Sequence, residues 1–385
     1  MKSNTKYIEV IDHYAYFVNN RRFNFLFLVI LSIFGYISTF PPNENNFSIF
    51  YYSYIHLSNN LPLYILYPNE HFDYFFYNPV FATLMGPFTL FPVSISRFFW
   101  IIFLTIIFEY TLSKLPLKIN YKFYFLLLVF FDFFNNLTHM QGNIPSVACM
   151  LLCWVYFEKE NFLLATFFTV MAFAIKGYAG IIGLIFLFTS IKNIKKSFIY
   201  GLFWFIIIHS IPLLVTKSIP LLVKNYKEWI EVISSSTIRE QYSFFGINQV
   251  LNLQLTDNVI YIIALIFLLI GFYIQKLYFK NTLFLTSWLM IIVVLFNQSA
   301  ESPTYIFAVV GMTLLFLYLK NKYISIGYWI AMSICTFFPV GVISFVDTLK
   351  YEYFSKAFAV LFFAIIVIIS ILSKKTEINE ITIEA

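Results

Sequence analysis

The side chains that could carry acid–base or ionic chemistry are few and gathered in short stretches. Glu44 stands in PPNENN, and Glu70, His71 and Asp73 follow in NEHFD. Asp132, Asn135, Asn136, His139, Gln141 and Asn143 fall within one later hairpin, and Lys176 lies inside AIKGYAG. Glu228, Glu231, Arg239, Glu240 and Asn248 form a further group, and Asn297, Glu301 and Ser302 another. His71 between two acids has the donor types of a metal site, but one His with two carboxylates is a sparse set. Asp132 is bounded by apolar residues, and an ionisable group at membrane depth is a functional candidate because it is costly to keep there. Each also has a plain reading: carboxylates in a wet loop are simply solvated, and Lys176 and Glu109 could reach the interface along their own stems.

The elements that must position these groups follow from composition. Of 385 residues, 60% are hydrophobic and 11% charged, with 50 Phe and 28 Tyr, and the mean hydropathy is +0.79. A soluble domain needs roughly 25% charged residues to cover its surface. Long apolar runs in lipid satisfy their backbone as helices, whereas a β-barrel would show short alternating segments, which are missing here. The net charge of +6 comes from Lys and Arg in short loops, with no basic cluster dense enough to track phosphates, so nucleic acid is excluded as a partner. Cys149, Cys153 and Cys335 lie in apolar runs and read as buried thiols. The first 22 residues are largely polar, with no small-residue cleavage site after the following apolar run, and are not expected to be a cleavable signal.

Apolar runs occur at 24–40, 97–113, 123–139, 143–157, 161–175, 177–191, 197–216, 257–275, 281–297, 303–319, 323–343 and 355–373. They predict an all-α, polytopic bundle of about twelve transmembrane helices, several of them shorter than the ~20 residues a crossing usually takes. No repeat or Gly/Ser linker divides the chain, so a single membrane-embedded domain over 1–385 is expected. The segment 79–92, PVFATLMGPFTLFP, carries a proline at each end and one inside. It is read as a juxtamembrane segment rather than a crossing, because this choice gathers most of the 25 Lys and Arg residues on the cytoplasmic side. Two larger outer loops result, about 41–96 and about 217–256, the first with an interfacial aromatic helix from Phe47 to Leu57. The unusual polar residues then share the outer face, with Asp132 about two turns in from a helix end.

Four blocks in order resemble glycosyltransferase family 87, the polyprenol-phosphate-mannose-dependent mannosyltransferases of the GT-C superfamily. They are the first outer loop (NNFSIFYYSYIHLS through LYILYPNEHFDYFFYNPVFATL), QGNIPSVACMLL, MAFAIKGYAGIIGL and FFGINQVLNL, and the likeness spans roughly residues 24–320. The resemblance implies a GT-C-type bundle in the cell membrane. Its active site would face outward and move a sugar from a polyprenyl-phosphate carrier to a lipid-linked or other glycan acceptor with inversion. It implies an acidic base in the first outer loop, because the acceptor hydroxyl is a poor nucleophile, and cations opposite the departing phosphate. The family's Asp at the start of the aromatic helix aligns with Asn46, which cannot take a proton. The base then passes to Asp73, which is favoured, or to Glu44 or Glu70. Lys176, Arg97 and Arg239 are the expected phosphate-binding cations. His71, Asn46, Asp132, Gln141, Asn143, Asn248 and Glu301 are the expected substrate-binding groups. Neither a metal nor another cofactor is expected, since no Asp-x-Asp motif is present.

The competing reading is a lipid-linked oligosaccharide flippase or O-antigen-polymerase-like protein. A flippase needs cations along a path through the bilayer, whereas here the helix centres are nearly charge-free; a polymerase would be expected to show several outer Arg residues. A secondary transporter would show repeated halves or paired broken helices, and a purely structural protein leaves two loops of clustered acids without a purpose.

Overall fold

In the computed structural model the described residues are 21–38, 45–235, 242–337 and 348–381. Glu44 and Arg239, two of the expected site residues, fall outside them. The described residues are all-α apart from one pair of two-residue strands, and the chain separates into two compact units.

The first unit comprises residues 1–115, 133–183 and 190–237. Its described elements are α1 (Arg21–Ser38), α2 (Asn45–Ser58), α3 (Pro79–Leu84), α4 (Val93–Lys114), the end of α5 (Ile119–Thr138), α6 (Asn143–Glu158), α7 (Phe162–Ile175), α8 (Ile191–Ser210), α9 (Leu213–Thr216) and α10 (Ile219–Ser235). α4 shows why this sequence suits lipid. Ile101, Leu104, Phe108 and Leu112 recur at helical spacing and are buried, while Ile95, Phe99, Phe103, Ile106 and Tyr110 are exposed on other faces. An exposed apolar stripe of that length is stable only against lipid or a partner. α6 is buried almost all round, between α4 and α7, as a helix apolar on every face must be. Ser190 caps α8, its hydroxyl accepting from the Asn193 amide at 3.3 Å. Beyond Lys192, Lys195 and Lys196 that helix presents Phe198 and Ile199 outward.

The second unit comprises residues 116–132, 184–189 and 238–385. It holds α11 (Phe244–Val250), α12 (Asp257–Tyr278), α13 (Leu283–Leu295), α14 (Ile306–Tyr318), α15 (Lys322–Met332) and α16 (Thr348–Leu372). Every residue of α13 is buried, and α14 packs along it. The strands β1 (Leu319–Lys320) and β2 (Glu377–Ile378) pair antiparallel, Leu319 opposite Ile378 and Lys320 opposite Glu377.

Among the described residues four helical stretches are long and apolar enough to cross a membrane: Val93–Lys114, Ile191–Thr216, Asp257–Tyr278 and Phe354–Leu372. They support membrane association. Most of the other expected crossings coincide with apolar helices of 10–17 residues, shorter than the ~20 residues that traverse the hydrocarbon core. The run at 177–191 forms a 3-10 helix over Gly177–Phe188. The 79–92 segment breaks at Met85 into α3 and a five-residue 3-10 helix, Gly86–Leu90. Neither piece is long enough to span. The expected interfacial helix is α2, but it does not float on its apolar side. Phe47, Ile49, Phe50 and Leu57 are buried, packed by α3, the Gly86–Leu90 turn and α4.

Gly311 marks a close backbone approach of two helices in the second unit. A Cβ there would stand 2.5 Å from the Ser287 carbonyl oxygen and 3.2 Å from Met290, so α13 and α14 approach as small residues allow inside membranes. Gly311→Ala should lower the thermal midpoint of the detergent-solubilised protein, with a cost of about 1–3 kcal/mol. Gly201→Ala, where a Cβ meets nothing within 4 Å, should not.

Candidate active site

The NEHFD stretch folds back on α2. His56, in the last turn of that helix, places Nε2 2.8 Å from Glu70 Oε2 and stacks on the Tyr67 ring at 3.8 Å. The Tyr67 carbonyl accepts from the amides of Glu70 and His71, at 2.9 and 3.0 Å, closing a turn that presents both side chains. His71 Nδ1 lies 2.7 Å from the Asp73 carbonyl oxygen. Only a protonated Nδ1 can donate there, which leaves Nε2 as the acceptor in the neutral ring. Asp73 Oδ1 accepts from the Tyr74 amide at 2.8 Å, and Asn45 Oδ1 from the Phe72 amide at 3.0 Å. Burial pushes both His56 and His71 below the ordinary histidine value, with Glu70 opposing it in each case.

Next along the chain, the backbone at Phe76 and Tyr77 is held by two long-range bonds. The Trp229 indole of α10 donates to the Phe76 carbonyl at 3.1 Å, and the Tyr64 hydroxyl to the Tyr77 carbonyl at 3.1 Å. The Tyr77 ring stacks on Phe81 at 4.4 Å and meets Phe50 edge-on at 4.8 Å. Over its face lies Lys176 Nζ, 5.0 Å from the centroid, with Tyr178 at 5.9 Å, inside the range of a cation–π contact. Lys176 stands here because α7 ends on it, with an extended backbone at the helix cap before Gly177. Asp73 precedes Tyr77 by four residues, so the two Cα atoms are within about 14 Å even for a fully extended chain. Lys176 therefore lies over a ring four residues along the chain from Asp73.

The α5–α6 hairpin meets the same Tyr77 ring. Its tip turns through Met140 at a φ of 50°. The Trp100 indole donates to the Met140 carbonyl at 3.0 Å, and Asn46 Nδ2 donates to the His139 carbonyl at 3.0 Å. Asn143 Nδ2 donates to Asn136 Oδ1 at 3.0 Å, both side chains being buried. Tyr77 reaches this hairpin with a long bond to Gln141 Oε1, 3.3 Å. Gly142 is required beside it, since a Cβ would stand 2.9 Å from the Tyr77 ring. Asn46, Gln141, Asn143, Lys176 and the Glu70–Asp73 loop are thus linked through Tyr77 and the hairpin. Arg97 is buried elsewhere in the same unit, its guanidinium 5.7 Å from the Tyr36 ring centroid.

The remaining expected residues lie in the second unit. Asp132 is buried and accepts from the Thr336 hydroxyl at 2.7 Å. Asn248 is engaged at both ends of its amide by the Leu255 backbone, each bond 3.0 Å. Glu301 caps the short helix Ser302–Tyr305 in a reciprocal arrangement with Thr304. Near Asp132 sits a residue that sequence reasoning missed. Lys356 is buried, donates to Ser302 Oγ at 2.7 Å, lies 5.7 and 5.8 Å from the Tyr242 and Tyr305 rings, and attracts Asp132. Its signal was present, a lysine inside an apolar run of spanning length. His56 and Tyr77 were also missed; each reads as one more aromatic position until the loop is seen folded over it. Among the described residues, no three His, Cys, Asp or Glu side chains gather as a metal ion would need.

A helical chain with four stretches long and apolar enough to cross a membrane, and a lysine, amides and loop carboxylates grouped about Tyr77, has the parts of a membrane-associated transferase. Residues 75–319 match glycosyltransferase family 87. The match takes in well over half of the chain, and the protein belongs to that family. It is accordingly a glycosyltransferase, with a sugar donor and an acceptor. No curated protein matches the sequence. The matched stretch contains Tyr77, Gln141, Asn143 and Lys176 but begins after Glu70, His71 and Asp73 and ends before Lys356.

Two outcomes are expected of this geometry. A histidine kept neutral by the fold binds its proton more readily once unfolded. The stability from His56 and His71 should therefore be complete above about pH 6.5 and fall as pH drops below it. Thermal midpoints taken from about pH 8 to about pH 5 should fall less steeply for a His56→Gln/His71→Gln double variant; parallel curves would contradict the assignment. Asn46→Asp should not behave as a conservative change. It sets a carboxylate against the His139 carbonyl and should cost about 1–3 kcal/mol in thermal or denaturant unfolding.

Proposed function

We propose that the protein transfers a hexose from a polyprenyl-phosphate carrier to a lipid-linked or other glycan acceptor at the extracytoplasmic face of the cell membrane, with Asp73 as base. The observation that carries this reading is Lys176 laid over Tyr77, close in the chain to the first-loop acids. A cation and a carboxylate at one site suit a reaction that builds negative charge on one oxygen while removing a proton from another. Mannose is the sugar that the sequence resemblance suggests.

In this mechanism the Asp73 carboxylate takes the proton of the acceptor hydroxyl. The acceptor oxygen bonds to the anomeric carbon as the bond from that carbon to the carrier phosphate breaks on the opposite side. The leaving phosphate keeps the electron pair, and Lys176 offsets its charge. A single displacement inverts the anomeric centre. Glu70 fits the base less well, because His56 already engages one of its oxygens at 2.8 Å. Asn46 fits an orienting role through its bond to the hairpin. Membership of a glycosyltransferase family favours transfer over flipping of a finished lipid-linked glycan.

Purified protein given a polyprenyl-phosphate-linked radiolabelled sugar and a membrane lipid extract should form labelled glycan product. Asp73→Asn should cut the rate by about 100-fold or more while the variant still inserts and elutes as the parent does. Full activity in that variant sinks the assignment, and an inactive Glu70→Gln beside an active Asp73→Asn would move the base to Glu70.

A further inference from the structure

The second unit contains a groove of about 1110 Å³ lined by none of the residues placed in the transfer reaction. It runs between the start of α5, the end of α14 and the start of α15. Tyr124, Leu127, Phe316 and Trp329 form its apolar wall. At the polar end stand Lys320, Lys322 and Lys375, with Glu377. Local structure holds this end together. Asn321 Oδ1 accepts from the Tyr323 amide at 2.8 Å, and its Nδ2 donates to the Lys375 carbonyl at 2.9 Å. The β1–β2 pairing sets Lys320 opposite Glu377, with a side-chain contact of 3.2 Å. Three lysines meet one carboxylate, so the rim is cationic.

We propose that this groove binds an anionic phospholipid, its phosphate among the lysines and an acyl chain along the aromatic wall. Charge complementarity supports the headgroup, because basic recesses between membrane helices favour acidic lipids. Shape and surface support the chain. The volume lies at or above the roughly 300–1,000 Å³ of small-molecule pockets. Leu127 and Trp329 at the wall are about half exposed, and the apolar surface continues outward over Ile326 and Ile330. A soluble anion would leave that wall wet, whereas a lipid covers it.

The test is native mass spectrometry of the full-length protein released from zwitterionic detergent with added phosphatidylglycerol or phosphatidylcholine. Because it reads binding, it is independent of whether the transfer mechanism is right. The expected result is about tenfold tighter retention of phosphatidylglycerol. That preference should be lost in Lys322→Gln/Lys375→Gln, since each lysine beside an anionic headgroup contributes roughly fivefold, and persist in Lys322→Arg/Lys375→Arg. Equal retention of the two lipids by the parent protein overturns the proposal, as does an undiminished preference in the Gln variant. Displacement of phosphatidylglycerol by inorganic phosphate would assign the site to a free anion instead. If the Gln variant fails to fold, the parent's choice between the two lipids decides the matter alone.

Discussion

The peptide bonds around Phe76 and Tyr77 hold the candidate site in place. A loop between membrane helices has little regular structure of its own, and each of its polar backbone groups must find a partner once it is covered. Here the partners are a tryptophan from α10 and a tyrosine from earlier in the same loop. They fix the Tyr77 ring on an aromatic stack that reaches α2 and α3, and that ring in turn meets Lys176, Gln141 and Gly142. A side chain with no acid–base role at neutral pH thus gives the Lys176 ammonium a surface to rest on. The acids just upstream have holds of their own on α2, Glu70 at His56 and the Phe72 amide at Asn45.

The second constraint is the cost of polar groups away from water. It explains why most of the polar groups of the hairpin at Asn136, Gln141 and Asn143 find partners within the protein, the buried Asn143 Oδ1 being an exception. Asn143 donates to Asn136, and Asn46 and Trp100 take the carbonyls at the turn. The amides at this turn are thereby held in an ordered set. In the second unit the same cost has a different answer, a lysine ammonium resting on a serine hydroxyl between two tyrosine rings.

Much of this was legible in the residues before any coordinate. Apolar runs gave helix positions to within a few residues for α4, α6, α7 and α12, because lipid tolerates no unsatisfied backbone and leaves helix as the simple outcome. Three prolines in fourteen residues foretold that 79–92 would break. Pattern could not separate a helix that crosses from one that is merely buried, since α6 and α13 are apolar on every face and only 16 and 13 residues long. Nor could it show that α2 is packed from several sides. Among site residues, Lys176 and the hairpin amides stood out by type. His56 and Tyr77 did not, because in a chain with 50 Phe and 28 Tyr an aromatic side chain carries no contrast. Asn248 and Glu301 stood out equally, yet their polar groups serve a turn and a helix cap, roles that composition cannot distinguish from substrate contact.

Cys149, Cys153 and Cys335 are all buried, and no disulfide joins them. Their sulfurs are shielded from a bulky, charged alkylating reagent applied to intact vesicles. Single thiols placed in the loops would therefore be modified against a quiet background, without a cysteine-free parent and its risk of opening cavities around Trp154 and its buried neighbours. The chain is in effect already prepared for assigning each loop to its side of the bilayer.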